Sequence, residues 1–581
     1  MISPRFTLGL AFLALAPAAP AEILQFRGGG FGQPQNQGKE IDHNAMVPTS
    51  DPAGSDLIRF ENGDIMHGEF AGMKDGLLWK RPDIEKPIRF LRTDTIRQII
   101  FNGHEAAQLG DDISYITLIS GDRIPGKITA MVDDELSLES PVVGSLTIPR
   151  DRIRSISPNP YGGELLYAGP FNSNGWMRLS YRSAEVEAPD QPEPKAEKAE
   201  AEAEEPKEEK KVIPSWIYSG AAFYSIKRAP LVFDANLPDV GRIRFKASYK
   251  SQMNLAIALH ADLSRPILEA AADDEAADAA GDEEAEEAEE AEEAEEAEEE
   301  NEKKAPLEFE SLTDLHKNKP LQTISWMKSG QSNYADFFGT SYVLNIYSSY
   351  PALNRSTFND EGRAIHSRLT GVRNSVALPT SGETEIEIRF DRNKNLIMLF
   401  IDGKYSSQWN DPAGYLAKGG GIGFLNSSSG NQIKISDIVV TTWNGVRDSA
   451  LSMEHPERDI VLLTNGTDRF SGKLDRIEND NAYLKSSFAE VVVPLKELSK
   501  IELSSEGRAD PDEKDFEWET EPASVLFQPF GLIYLNPTSS TADTLSGTSP
   551  YLGELKINLK SASMLRLLDE SPDISDWFDE L

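Results

Sequence analysis

Three stretches of the chain share one order of apolar and polar positions: a short apolar strand, a turn, a glycine five or six residues on, then alternating apolar residues. They begin at Asp56 (DLIRFENGDIMHGEF, then IRFLRTDTIRQIIF), Asp112 (DISYITLISGDRIPGKI, then LTIPRDRIRSI) and Asp459 (DIVLLTNGTDRFSGKL, then VVVPLKELSKIEL). Recurrence of one pattern signals repeated small units. NGD at 62–64, SGD at 120–122 and NGT at 465–467 separate runs that alternate as half-buried strands do, which predicts hairpin turns. The later glycines, Gly68, Gly126 and Gly472, are expected where a strand bends sharply or passes close to another backbone.

Units of about fifty residues with four or five such strands close most simply into a small barrel. In this they resemble Sm-like small β-barrels, with IPRDRIRSI and VPLKELSKI as the closing turn and strand. The reading places units at 55–104, 111–160 and 457–507. A degenerate fourth, at 521–568, carries ASVLFQPFGLIYL and YLGELKINLKSASMLRLL but lacks the first turn signal. Units of one type tend to share a core, so the front and back of the chain are expected to pack together and present the middle as an inserted domain.

That middle segment, 161–445, holds nine runs with strand character: 176–181, 221–226, 242–249, 254–261, 341–349, 384–391, 396–403, 421–426 and 433–443. Such a count predicts a β-sandwich. The turns DRNKN at 391–395 and Asp402-Gly403 bracket LIMLFI, which is apolar on both faces as a central strand is. The order EIRFDRNKNLIMLFIDGKYSSQWNDP, GGGIGFLN, IKISDIVVTTWNG resembles the last third of concanavalin A-like jelly rolls, among them the 3-keto-disaccharide hydrolase-like and laminin G-like modules. The resemblance implies two packed antiparallel sheets, one with a concave outer face for a glycan. The fold class is therefore all-β: a jelly-roll sandwich with three or four small barrels.

Some jelly rolls of this superfamily hydrolyse β-glucans with an E-x-D-x-x-E run. Here Glu385, Glu387 and Arg389 share one face of a strand, opposite Ile386, Ile388 and Phe390. The middle acid is Glu387 rather than aspartate, and Phe390 stands where the final acid belongs, so no general acid is in place. The same face, joined by Asn345 and Tyr347 from SYVLNIYSS taken as a neighbouring strand, is the candidate glycan-binding site. Trp409 and Trp443 are read as core cover or as a glycan platform. Asp391, Asn393 and Asn395 read as a hairpin turn, or more weakly as a calcium loop.

Composition adds exclusions. Cysteine is absent, so no disulfide or thiol site exists. The seven histidines are scattered with no metal-ligand spacing, the glycine-rich runs lack the lysine of a phosphate loop, and no cofactor is expected. Arg5, the run FTLGLAFLALA and Ala19-Pro20-Ala21 have the layout of a secretory signal peptide at 1–21, cleaved after Ala21, with a flexible segment at 22–54. Export to the periplasm or beyond is expected, with no membrane span once the signal is removed. The net charge of −38 is concentrated in two low-complexity inserts, 185–211 at −6 and 268–304 at −18, both expected to be disordered. A chain this acidic without a basic stripe is not expected to bind nucleic acid. Three functional classes stand in falling order: an exported non-catalytic binding or scaffold protein with envelope protein partners, a glycan-binding module, and a glycosidase-like enzyme.

Overall fold

The computed structural model describes residues 55–567, except 63, 92, 103–112, 182–214, 226, 251, 268–307, 313–318, 328–331, 348–349, 374–377, 379–380, 429, 447–454, 487–488, 511–513 and 519. The expected signal peptide at 1–21, the segment 22–54 and the acidic inserts therefore lie outside the described residues.

Four five-stranded units are present. Unit 1 runs Asp56–Phe60, Ile65–Met73, Leu77–Arg81, Ile84–Phe90, Ile96–Ile100; unit 2 runs Ser114–Leu118, Arg123–Val132, Glu135–Ser140, Gly144–Pro149, Ile153–Ser157. Unit 3 runs Asp459–Leu463, Arg469–Glu478, Asn481–Lys485, Glu490–Pro494, Leu498–Glu502; unit 4 runs Ala523–Phe527, Gly531–Thr541, Thr544–Ser549, Gly553–Asn558, Ala562–Arg566. In every unit the first strand pairs antiparallel with the second and the fifth, and the chain then meanders outward, giving the order 4-3-2-1-5. Alternation places Ile58, Ile116, Val461 and Val525 at equivalent, fully buried positions of one continuous core.

The repeated glycine has a packing reason. A Cβ on Gly126 would stand 2.7 Å from Leu138 Cγ, and one on Gly472 would stand 2.6 Å from the Lys485 carbonyl; Gly68 lies as tightly against Trp79 and the Lys80 carbonyl. Gly68 and Gly126 face the bulky side chains of Trp79 and Leu138 on the third strand, and Gly472 faces the third-strand backbone at Lys485 and Ser486. Unit 4 inverts the pair: Leu535 stands where the glycine should, and the third strand supplies Gly547, whose Cβ would meet Leu535 Cδ1 at 2.7 Å. One of the two positions must lack a side chain, and either strand can provide it.

Unit 4 also lacks an Asn-Gly turn for a reason visible in its contacts. Its first hairpin closes through Gln528-Pro529-Phe530, with Phe530 at φ +62°. The Phe530 N–H donates to Asp437 Oδ1 at 2.9 Å, and the ring lies 4.3 Å beneath the Arg244 guanidinium. This turn is a peg into the middle domain, so it carries aromatic rather than solvent-facing residues.

Front and back units join through their fifth strands. Ser155 and Ile156 pair with Glu502 and Ile501, and Gln98, Ile99 and Ile100 pair with Arg566, Leu565 and Met564. Units 2 and 4 meet at Leu532 and Arg123, where Asp122 Oδ1 also accepts from the Tyr534 N–H at 2.7 Å. Residues far apart in sequence thus form one four-unit body.

The inserted domain is a sandwich. Its nine-stranded sheet follows the order Trp216–Ser219, Ala222–Ser225, Ile433–Thr442, Val240–Tyr249, Gly382–Asp391, Leu396–Ile401, Lys404–Asn410, Gly371–Arg373, with Leu165–Gly169 beside Ile433–Thr442. Its eight-stranded sheet follows Gln322–Met327, Met177–Tyr181, Pro230–Asp234, Gly421–Asn426, Asn254–Ala261, Ser341–Tyr347, Pro351–Phe358, Ala364–Arg368. Between them Phe245, Ile388, Phe390, Leu399, Leu344 and Phe424 form the core. Trp409 is part of it, at 1 % exposure. The five-residue helix Tyr334–Phe338, started by an Asn333 capping box, lays Phe338 over Gly423 on the outer face of the eight-stranded sheet.

Candidate functional site

The strand Gly382–Asp391 lies in the nine-stranded sheet, and its register sets Glu385, Glu387 and Arg389 directly across from Lys246, Arg244 and Arg242. The basic row of Val240–Tyr249 runs beside the acidic row of Gly382–Asp391, so ion pairs form: Lys246 with Glu383 at 3.2 Å, Arg244 with Glu385 at 4.0 Å, and, within the second strand, Arg389 Nε with Glu387 at 2.5 Å. Around Glu387 and Arg389 this face is covered, while Glu383 and Glu385 stay partly open to solvent. Phe530 packs on Arg244, Asn444 Nδ2 donates to the carbonyls of Thr464 and Asn465 in unit 3, and Val439 joins the core of the four-unit body. Glu387 is 9 % exposed and Arg389 5 %. Burial pushes the Glu387 carboxyl up, but Arg242, Arg389 and Arg244 outweigh it and hold the group below the usual carboxylate range. Trp443 and Phe400 flank Arg389 in a small apolar cluster on the same face.

The five expected site residues are therefore not one site. The neighbours of Gly382–Asp391 are Val240–Tyr249 and Leu396–Ile401, whereas Ser341–Tyr347 lies in the other sheet, between Asn254–Ala261 and Pro351–Phe358. Alternation along a strand tells which residues share its face, but it carries no information on which sheet the strand joins. Glu385, Glu387 and Arg389 face the four-unit body, and Asn345 and Tyr347 lie on the opposite side of the sandwich.

Around Asn345 and Tyr347 the sheet carries a polar and aromatic patch. Tyr334 Oη donates to Asn345 Oδ1 at 2.7 Å, and the Tyr347 and Tyr350 rings lie 6.0 Å apart. Arg368, from the edge strand Ala364–Arg368, sits 5.6 Å over Tyr350. His366 Nδ1 lies 3.0 Å from Asn333 Oδ1, and its ring 6.1 Å from Tyr334. Asn345 is 2 % exposed and Tyr350 45 %, so the amide braces the patch while the outer ring is open to solvent. Burial, with Tyr347 beside it, pushes the Tyr334 hydroxyl up to about 12, which keeps it a neutral donor. The aromatic and basic members, Tyr334, Tyr350, His366 and Arg368, escaped the sequence reading because they come from a helix cap, a loop and a polar edge strand with no shared periodicity.

Other candidates resolve into structure. Asp391 Oδ1 accepts from the N–H groups of Asn393 and Lys394 while its Oδ2 pairs with Lys394 at 3.0 Å, and Asn395 takes φ +55°, as a hairpin turn requires. His260 lies between Tyr415 Oη at 2.9 Å and the Pro238 carbonyl at 3.1 Å, and burial lowers its pKa to about 4. Among the described residues no group of three or more His, Asp or Glu is placed to hold a metal, and no helix is long and apolar enough to cross a membrane.

Lys434 marks the seam between sandwich and body. It is 5 % exposed, and burial first, then Arg566, lower its pKa to about 7. Between that value and the 10.5 of an unperturbed lysine, the unfolded chain holds a proton that the folded chain has lost, so this group makes stability rise with pH. Lys434→Met is expected to raise stability near pH 7 by about 1–4 kcal/mol, with the gap from wild type narrowing toward pH 10. Urea midpoints across that range check this; a gap independent of pH would remove the assignment.

No protein-family model matches the chain, and no curated protein matches it. Among solved structures, a Bacillus subtilis protein with a galectin-like fold is 12% identical, covering 38% of this chain and 81% of that one at a TM-score of 0.20. The binding domain of botulinum neurotoxin serotype D is 8% identical over 58% of this chain and 69% of its own, at 0.18. A sialidase is 7% identical over 67% and 32%, at 0.22. Scores of this size carry no argument about ligand or activity; the all-β sandwich rests on the strand topology itself.

Proposed function

We propose that the protein is an exported, non-catalytic binding or scaffold protein of a bacterial cell envelope, in which the outer face of the eight-stranded sheet takes a carbohydrate. The observation that carries this reading is the asymmetry of the sandwich: the nine-stranded sheet rests its charged face on the four-unit body, and the opposite sheet turns Tyr347, Tyr350, His366 and Arg368 outward. Aromatic rings stack on the apolar faces of sugars while amides and guanidinium groups bond their hydroxyls. A glycosidase needs two carboxyl groups about 5–10 Å apart across a cleft, whereas Glu387 is held in ion pairs beneath the body and Phe390 is core. Both points favour binding over hydrolysis. The strand order within each unit supports the Sm-like reading of the barrels, whose outer edges are the surfaces for protein partners. The signal-peptide layout supports the periplasm or the exterior as the destination.

A glycan array probed with the full chain tests the proposal. At least one polysaccharide class is expected to bind, and Tyr350→Ala and Arg368→Ala are each expected to weaken binding by about tenfold, about 1.4 kcal/mol, with unchanged thermal stability. An array without binding, or variants that bind as wild type does, would overturn the reading.

A further inference from the structure

We infer that the polar and aromatic patch on the eight-stranded sheet takes an acidic glycan, one that carries uronate carboxylates, with Arg228 and Arg368 as the groups that meet its charge. The inference rests on the carbohydrate reading above and narrows it to a chemical class.

Strand register gathers the patch at one end of the sheet. Pro230 pairs with Leu425, the neighbouring Asn426 pairs with Leu255, and Asn254 pairs with Tyr347, so Arg228, two residues before Pro230, enters at the tyrosine end. Burial and Tyr347 push the Tyr334 hydroxyl up and Arg228 acts against them, so the Arg228 charge reaches the same group of rings. On the other side of Ser341–Tyr347, Arg368 pairs across the ladder with Asn354 and lies 5.6 Å over the Tyr350 ring, itself 6.0 Å from Tyr347. The two guanidinium groups therefore flank the tyrosines along the sheet, as a chain of acidic sugars requires, rather than meeting at one point.

Their charge is not answered by the protein. Arg228 and Arg368 are exposed, and among the described residues neither is in an ion pair. Asp336, in the helix beside Tyr334, is buried and accepts from the Asn333 N–H in the capping box. Elsewhere on the sandwich surface Arg363 meets Glu361 at 3.3 Å and Arg392 meets Asp239 at 2.6 Å. In a chain of net charge −38 the general field repels a polyanion, so an acidic glycan has to be held by a local concentration of basic groups. A guanidinium stacked on a ring keeps its edge donors available, and their fork matches a carboxylate.

The test is binding of the full chain, at physiological ionic strength, to polygalacturonate, alginate and hyaluronate, each beside its carboxyl-reduced neutral form. At least one acidic polymer should bind about tenfold or more tightly than its reduced form, the scale of one charge-assisted hydrogen bond. Arg228→Gln and Arg368→Gln, exposed positions where glutamine keeps a donor but not the charge, should each remove most of that preference. Tyr350→Ala should weaken both forms, and Arg363→Gln, at the other end of the Ala364–Arg368 strand, should weaken neither. Neutral forms that bind as tightly as the acidic ones, or a preference that survives in both arginine variants, would overturn the acidic class while leaving the carbohydrate reading in place. No binding to any polymer, here or on the array, would overturn both.

Discussion

Asp459→Ala is expected to lower the unfolding free energy by about 3–5 kcal/mol, the usual loss when one partner of a buried ion pair is removed. The carboxylate is 1 % exposed and fully engaged. Arg150 Nη2 donates to both of its oxygens at 2.6 and 2.7 Å, and the N–H groups of Leu474 and Ser504 donate at 2.5 and 2.8 Å. Arg150 belongs to unit 2 and Asp459 to unit 3, and Arg150 Nη1 also reaches the Leu474 carbonyl, so this carboxylate clasps the seam where the two fifth strands meet. Asp56 shows the local half of the same role, accepting from the Phe70 N–H at 3.0 Å. Asp459→Asn keeps an acceptor but loses the charge, and should fall between alanine and wild type. Urea unfolding measures the loss, and hydrogen exchange should show Ile153–Ser157 and Leu498–Glu502 deprotected together. A loss under about 1 kcal/mol would mean that the clasp is an ordinary surface pair.

The reciprocal glycine pair supports a second large effect. Gly126→Leu should cost about 1–3 kcal/mol or more, the scale of overpacking a filled core, because its Cβ would stand 2.7 Å from Leu138 Cγ and 2.9 Å from the Glu139 carbonyl. Leu138→Gly alone should be destabilising through the cavity it leaves. Together they copy the Leu535 and Gly547 arrangement of unit 4. Neither Gly126 nor Gly547 has a positive φ, so a side chain on either strand is conformationally allowed. The double variant should therefore be more stable than Gly126→Leu, with a coupling of about 1–3 kcal/mol. Additive losses would show that the inversion in unit 4 depends on surroundings that unit 2 lacks.

Much of the strand content was legible, since alternation and turn chemistry act locally. All nine runs predicted in the sandwich are strands, and the Asp-Gly turn at 402–403 has Asp402 and Gly403 at φ +48° and +70°. The strands that escaped are short or compositionally atypical. Pro230–Asp234 and Pro351–Phe358 open on proline, which donates no ladder hydrogen bond, and Lys404–Asn410 and Ala364–Arg368 are largely polar. The fourth unit was faint because its glycine moved to the partner strand and its hairpin turn became a contact. The candidate site was the least legible part. Glu385, Glu387 and Arg389 alternate with core residues as a solvated face would, and the burial of Glu387 and Arg389 involves residues more than fifty positions away in sequence, which no local pattern encodes.

The central claim is that front and back units close into one body on which the nine-stranded sheet rests. The chain contains no cysteine, so a single introduced pair has no competitor. Ser155 and Glu502 are direct partners across the joined fifth strands, a separation of about 4.5–5.5 Å between Cα atoms that a disulfide spans. Oxidation of the Ser155→Cys, Glu502→Cys variant should link the two positions within one chain, as peptide mass spectrometry would show. Thiols that stay reduced in the folded protein, or links that form only between chains, would contradict the architecture.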